Sequence, residues 1–175
     1  MDETLVSSLR RWRPVLAVIA GGLLLTACQA PPPDVTFYGN RHAVETGPNH
    51  LCVIDQAAAT INCPDPDPAE VPRLTLGPGQ AVQINVPSAI AETPWTVYFQ
   101  YLDKDGTQSD GRTDTLRDGQ LAYTLHPFEP TDQLVSVEVV NDFVLVAGTD
   151  GGVVFQPTRG WLLLVDPAEP APAAD

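Results

Sequence analysis

Lysine is almost missing from this chain, with Lys104 the only one in 175 residues. Nine basic residues stand against 22 acidic ones. Binding nucleic acid requires clustered Lys and Arg to neutralise phosphates, so the bulk charge excludes that class of partner. Serine is sparse beyond the first segment, where only Ser88, Ser109 and Ser136 remain. None sits in Gly-x-Ser-x-Gly or at Ser-x-x-Lys spacing, so no serine-nucleophile signature is present. His-Glu-x-x-His and a phosphate-cradling glycine loop are absent too. The three histidines, His42, His50 and His126, are dispersed, and each reads as a surface or capping residue rather than a base or ligand. Eighteen prolines, only Pro14 of them before Cys28, leave no room for long helices. The apolar run over residues 15–25 is shorter than the ~20 residues a spanning helix needs.

That run belongs to a composite signal. Arg10, Arg11 and Arg13 precede it, and the small pair Thr26-Ala27 and then Cys28 follow. A basic region, a short apolar region and a small-residue cleavage site make a secretory signal. Leu25-Thr26-Ala27-Cys28 also resembles the lipobox of bacterial lipoproteins. The resemblance implies a diacylglyceryl group on the Cys28 thiol and a cut just before it. Residues 1–27 are then a signal peptide, and residues 28–33 are a lipidated cysteine with a proline-rich tether. Gln29-Ala30-Pro31-Pro32-Pro33 favours the extended polyproline conformation and spans roughly 15 Å. Losing residues 1–27 leaves six basic and 20 acidic side chains, a net charge of −14. Such a domain is repelled by an anionic leaflet, so the lipid must hold it at the extracytoplasmic face of the cell membrane.

With Cys28 lipidated, Cys52 and Cys63 form an even pair in an oxidising compartment. Ten residues lie between them. One disulfide is the natural reading. Two free buried thiols, or a metal site joined by the nearby His50, are the alternatives.

Period-two alternation dominates the mature chain. Val82, Ile84 and Val86 alternate with Gln83 and Asn85, and Trp95, Val97, Phe99 and Tyr101 alternate with Thr96, Tyr98 and Gln100. Leu121, Tyr123 and Leu125 repeat the pattern, as do Val135, Val137 and Val139. Each reads as a half-buried strand with its first set inward. Apolar runs at residues 143–147, 153–155 and 161–165 suit further strands, as do residues 35–38, 51–54 and 73–76. Gly77-Pro78-Gly79, Asp105-Gly106, Asp110-Gly111, Asp118-Gly119, Asn141-Asp142 and Asp150-Gly151-Gly152 are turn formers between them. Residues 55–60, with three alanines, are the single helical candidate, of one or two turns. The expected fold is all-β, an immunoglobulin-like antiparallel β-sandwich over residues 34–165, with a small β-barrel as the alternative. Residues 166–175 hold no large apolar side chain and read as a disordered tail.

Metal chemistry has one weak candidate. Asp103, Asp105 and Asp110 with a turning glycine suggest a calcium loop, but Lys104 intrudes and no bidentate Glu closes the loop. A solvated hairpin turn is the expected reading, so neither a metal nor another cofactor is assigned. Residues 64–70 alternate proline with acid and read as a stiff connector.

The chain resembles the actinobacterial lipoproteins of the domain-of-unknown-function 2771 family. The likeness rests on the lipobox, Val35-Thr36-Phe37-Tyr38, the Cys52 and Cys63 pair, and Pro94-Trp95-Thr96-Val97-Tyr98-Phe99-Gln100-Tyr101. It rests also on Gln133-Leu134-Val135-Ser136-Val137-Glu138-Val139. These motifs are structural, so the resemblance implies location and supplies no activity. The expected role is that of a lipid-anchored binding or scaffolding module of the cell envelope, with an envelope protein or ligand as partner. An enzyme or enzyme subunit acting on envelope material, and a calcium-dependent adhesion or sensing module, are the alternatives. If Cys28 carries the anchor, Cys28→Ala moves the protein from the detergent phase to the aqueous phase. Intact mass then shows lipid on the parent only; a variant that stays membrane-bound beside an unlipidated parent refutes the reading.

Overall fold

A computed structural model of the chain describes residues 31–58, 60–147 and 151–168. The expected signal peptide, Cys28 and the end of the tail from residue 169 lie outside the described residues. The alternating segments become two packed sheets. One is four-stranded and antiparallel, built from β1 (Val35–Gly39), β2 (His42–Thr46), β7 (Val82–Asn85) and β10 (Ala122–Leu125), in the order β10-β7-β1-β2. The other takes β3 (His50–Leu51), β8 (Thr96–Leu102), β9 (Gln108–Arg112), β11 (Gln133–Ala147) and β12 (Val153–Pro167), in the order β3-β12-β11-β8-β9. β6 (Arg73–Leu76) adds to β12, the one parallel pairing among the described residues. A separate ribbon pairs β4 (Val53–Asp55) with β5 (Thr60–Asn62). The only helix among the described residues is the single turn α1 (Ser88–Ala91). The fold is therefore an all-β sandwich of the immunoglobulin-like kind, not a closed barrel.

The inward sets meet between the sheets. Val35 and Phe37 of β1 with Val82 and Ile84 of β7 face Val97 and Phe99 of β8, Val137 and Val139 of β11, and Leu163 of β12. Two fully buried tryptophans anchor this core. Burying an indole strands its N–H unless an acceptor is supplied. Trp95 donates to the Gln120 carbonyl at 3.1 Å and Trp161 to the Pro33 carbonyl at 2.9 Å. The last proline of the tether is thus tied to the core.

Several expectations are corrected. Residues 55–60 form no helix. Asp55 accepts the N–H groups of Ala57 and Ala58 and turns the chain between β4 and β5, a conformation the helix would have to break. Asp110-Gly111 is not a turn but lies within β9. The Phe99 ring of the opposing β8 residue occupies the space a side chain at 111 would need. Asn141-Asp142 is no turn either. Asp142 takes a positive φ of 55° inside β11, and the strand continues, so residues 133–139 and 143–147 are one 15-residue strand. Val135 is not a core residue, because the ladder to β8 shifts register between Leu134 and Ser136 and Leu134 takes the buried place. Thr96 shares the outer face of β8 with Tyr98 but is covered rather than exposed: it is 4% exposed, and its hydroxyl donates to the Thr113 carbonyl at 3.0 Å. Asp166, expected to open the tail, is within β12, where the Arg73 guanidinium holds it by a fork at 2.8–3.1 Å.

Cys52 and Cys63 are disulfide-bonded and close the β4–β5 ribbon. The ribbon makes no ladder with either sheet. Reducing the bond should therefore speed amide exchange over residues 53–62 and leave the Trp161 amide protected. Equal loss of protection at both places would show that the bond supports the whole sandwich. Gly111→Ala pushes a methyl into the Phe99 ring and should lower stability by about 1–3 kcal/mol. The urea midpoint should fall with an unchanged m-value; an unchanged or raised midpoint refutes the packing argument.

Candidate functional site

β11 and β12 overhang the sandwich. The two strands pair from Ser136 with Leu164 to Ala147 with Val153, while the four-stranded sheet beneath them is only four or five residues deep. Past Asp142 the pair forms an arm. Directly paired residues of an antiparallel ladder share a face. Phe143, Leu145 and Ala147 therefore share one face with Pro157, Phe155 and Val153. Val144 and Val146 share the other with Gln156 and Val154. Leu145, Val153 and Phe155 are 63%, 68% and 72% exposed. The disulfide ribbon adds exposed Val53 and Ile54, and Leu51 of β3 is exposed as well. A groove of about 740 Å³ runs between ribbon and arm, lined by Ile54, Ile61, Cys63, Val144, Val146 and Gln156. Single exposed apolar residues are ordinary on a surface, but this concentration is not.

A second cleft, of about 680 Å³, opens at the root of the arm. Arg112 of β9 and Arg117 reach it, with Tyr98, Asp142, Phe143 and Phe155 among its walls. Tyr98 pairs with Arg112 across the β8–β9 ladder, so both stand on the outer face of the sheet. Asp142 is already bound, 3.2 Å from an Nη of Arg159. Neither Arg112 nor Arg117 has a carboxylate partner among the described residues.

The histidines do not assemble. His42 lies on β2 and is exposed, and His126 is exposed beyond β10. His50 alone has a partner, Glu138, with Nδ1 2.7 Å from Oε1 and both side chains about three-quarters buried. Gly160 makes this contact possible, because Glu138 Oε1 lies where a side chain at 160 would begin. Nearby Asn49 behaves as one more strand residue, its amide donating to the Leu162 carbonyl at 2.8 Å and accepting the Leu162 N–H at 2.7 Å. The His50 contact thus ties the two-residue β3 across β12 to β11. Ser136, the serine of that strand, pairs with Leu164, whereas His50 pairs with Gly160. Four residues of strand separate them, roughly 13 Å, too far for a nucleophile and its base. His50, Cys52 and Cys63 lie within 4.8 Å of one another, but the two sulfurs are joined, and a disulfide offers no thiolate to a metal.

Asp103 spends its carboxylate on its own turn. One oxygen accepts the N–H groups of Asp105 and Thr107, both at 2.8 Å. The Thr107 amide is the chief reason its carboxyl is held below the usual range, with Asp105 and Lys104 adding to it. Asp105 takes the Lys104 ammonium at 2.6 Å, and Asp110 is exposed on β9. Among the described residues these three carboxylates do not converge to ligating distance. The arm and the arginine cleft were missed in the sequence. Both depend on how far β11 and β12 run past their neighbours, and no local pattern reports that.

The family described as "Protein of unknown function (DUF2771)" matches residues 29–165. Uncharacterized proteins of Mycobacterium bovis and Mycobacterium tuberculosis are each 28% identical to this chain over 161 residues, covering 85% of it and 91% of the relative. No solved structure matches. The matched span covers both sheets and the disulfide ribbon nearly to the end of β12, and on that match the chain belongs to the DUF2771 family.

Proposed function

We propose that the protein is a lipid-anchored module of the cell envelope that binds a partner protein and carries out no catalysis of its own. The observation that carries this is the exposed apolar face of the arm, Leu145, Val153 and Phe155, with exposed Ile54 of the ribbon lining the groove on its other side. A surface so apolar on a chain so acidic is suited to a partner with an apolar patch rimmed by basic groups. The anchor supports the reading. The lipobox resemblance supports a lipid at Cys28, and the Trp161 bond to Pro33 would end the free tether at the middle of β12. Phe155 lies six residues from Trp161 along the same strand, roughly 20 Å away. A tether of that kind keeps the arm at a limited height range from the bilayer, where a membrane-bound partner is within reach.

The enzyme reading finds less support. His50 has its carboxylate partner, but Ser136 on the same sheet is out of reach, and the pair is explained by holding β3 in place. Photo-crosslinking in intact cells tests the proposal. A photoreactive residue at Val153 or Phe155 should trap a discrete protein adduct, absent when the probe sits at Thr124 on the opposite sheet. The same adduct should vanish on Cys28→Ala with secretion retained. Replacing His42, His50 and His126 together by Gln should leave it unchanged. No arm-specific adduct would refute the binding role. Loss of a deletion phenotype's complementation in the histidine variant, at normal abundance, would favour catalysis instead.

A further inference from the structure

We infer that the cleft at the root of the arm is a binding site for a small anionic amphiphile, a phosphate monoester or carboxylate bearing an apolar chain. This goes beyond the partner-binding role and does not depend on it.

The first ground is charge placement. After loss of residues 1–27 the chain keeps six basic residues against 20 acidic ones. Arg73 and Lys104 are consumed by Asp166 and Asp105. Arg112 and Arg117 line one cleft, and its single lining carboxylate, Asp142, is already bound by Arg159 from outside the lining. The lining thus holds two positive charges and one carboxylate that is already paired, inside a domain of net −14. Arg41, between β1 and β2, has no carboxylate partner either, but Arg112 and Arg117 line a single cleft together, and two guanidinium groups without a carboxylate in one cleft mark a place for an anion. Glu92, Asp114 and Asp118 are close in sequence to cleft residues, yet none of them forms an ion pair with Arg112 or Arg117.

The second ground is rigidity. Arg117 follows Leu116, whose N–H and carbonyl bond to Trp95 at 2.8 and 3.1 Å, and Trp95 is fully buried. Arg112 precedes Thr113, whose hydroxyl and carbonyl lock onto Thr96 and Val97. Both guanidinium groups therefore hang from backbone fixed to the core, which lowers the ordering cost of closing on a ligand. A planar fork of N–H donors suits an oxyanion better than an ammonium would.

The third ground is the wall. Phe143, Val154 and Phe155 line the same cleft, and Phe155 is 72% exposed, so an alkyl chain leaving the oxyanion would cover it. The volume of about 680 Å³ lies within the roughly 300–1,000 Å³ of ordinary small-ligand sites. Size also selects the ligand. A polyanion would run onto the acidic surface beyond the cleft, whereas a single head group meets the arginines within the Debye length of about 8 Å.

The test is calorimetric titration of the full chain in phosphatidylcholine nanodiscs, with empty nanodiscs as the reference. Hexyl phosphate and hexanoate carry both parts of the ligand, inorganic phosphate only the head, and hexanol only the chain. Saturable 1:1 binding of hexyl phosphate, hexanoate or both is expected, with inorganic phosphate and hexanol about tenfold weaker or worse. The stronger of the two amphiphiles identifies the head group. Arg112→Gln and Arg117→Gln should each weaken it about tenfold or more, with an unchanged melting temperature because both side chains are exposed. The Arg→Lys variants keep the charge, lose the fork and should fall between. Phe155→Ser should weaken the amphiphile and leave inorganic phosphate as it was. No saturable binding by either amphiphile, or undiminished affinity in a folded Arg112→Gln, Arg117→Gln double variant, overturns the site. Either result leaves the crosslinking outcome at the arm untouched.

Discussion

The pairing of β11 with β12 is the constraint on which the rest depends. Two 15-residue strands span roughly 50 Å, whereas the four- and five-residue strands of the facing sheet span about 15 Å. A core forms only where both sheets overlap. There Val137, Val139, Trp161 and Leu163 are buried; beyond it Leu145, Val153 and Phe155 are exposed. A lone two-stranded hairpin is marginal in water, so the arm borrows its order from the ladder it continues. Its apolar residues serve β propensity and pairing, not a core. The excess of strand length over facing sheet thus creates the exposed end and the cleft beneath it together.

The change from core to arm happens at Asn141 and Asp142. Asn141 is 1% exposed, and its Oδ1 is buried without a partner. Asp142 adopts a left-handed conformation that Asp tolerates better than most residues. Its carbonyl accepts the Thr158 hydroxyl at 2.6 Å and its carboxylate meets Arg159. A strained residue and an unsatisfied amide side by side are costly in a strand interior. They persist because pairing on both sides of the kink holds the backbone, and the kink directs Phe143 into the cleft wall.

Trp161, which holds Pro33, and the exposed Phe155 share one strand. Trp161 fixes the tether through Pro33, and its own strand runs on to Phe155. On this acidic surface the guanidinium groups of Arg112 and Arg117, without carboxylate partners among the described residues, sit where the arm begins. The disulfide ribbon flanks the other face of the arm, and the Gln156 side chain lies within 4.0 Å of Cys63 Sγ.

Much of the fold was legible because its rules are local. Alternation at Val82 to Val86 and Trp95 to Phe99 yields strands whose inward set is buried, and Asp118-Gly119 adopts the paired left-handed turn its chemistry favours, with φ of 58° and 73°. The cysteine pair was legible from number and spacing. The family was legible from its motifs. What local rules cannot carry is whether a residue has a neighbour from a distant part of the chain. Gly111 is strand because Phe99 covers it, the alanines of residues 57–58 turn because Asp55 caps them, and Val135 leaves the core because a bulge slips the register by one. The same holds for the site: Arg112, Arg117, Phe143 and Phe155 are scattered over 44 positions of sequence and meet only because β9 and the arm flank one end of β8. The sequence by itself determined the strand-forming segments, the acidic character and the anchor motif, since each depends on residue type and spacing alone. Only the tertiary structure decided which apolar residues stay exposed and which charges stay unpaired, since both depend on where the second sheet ends.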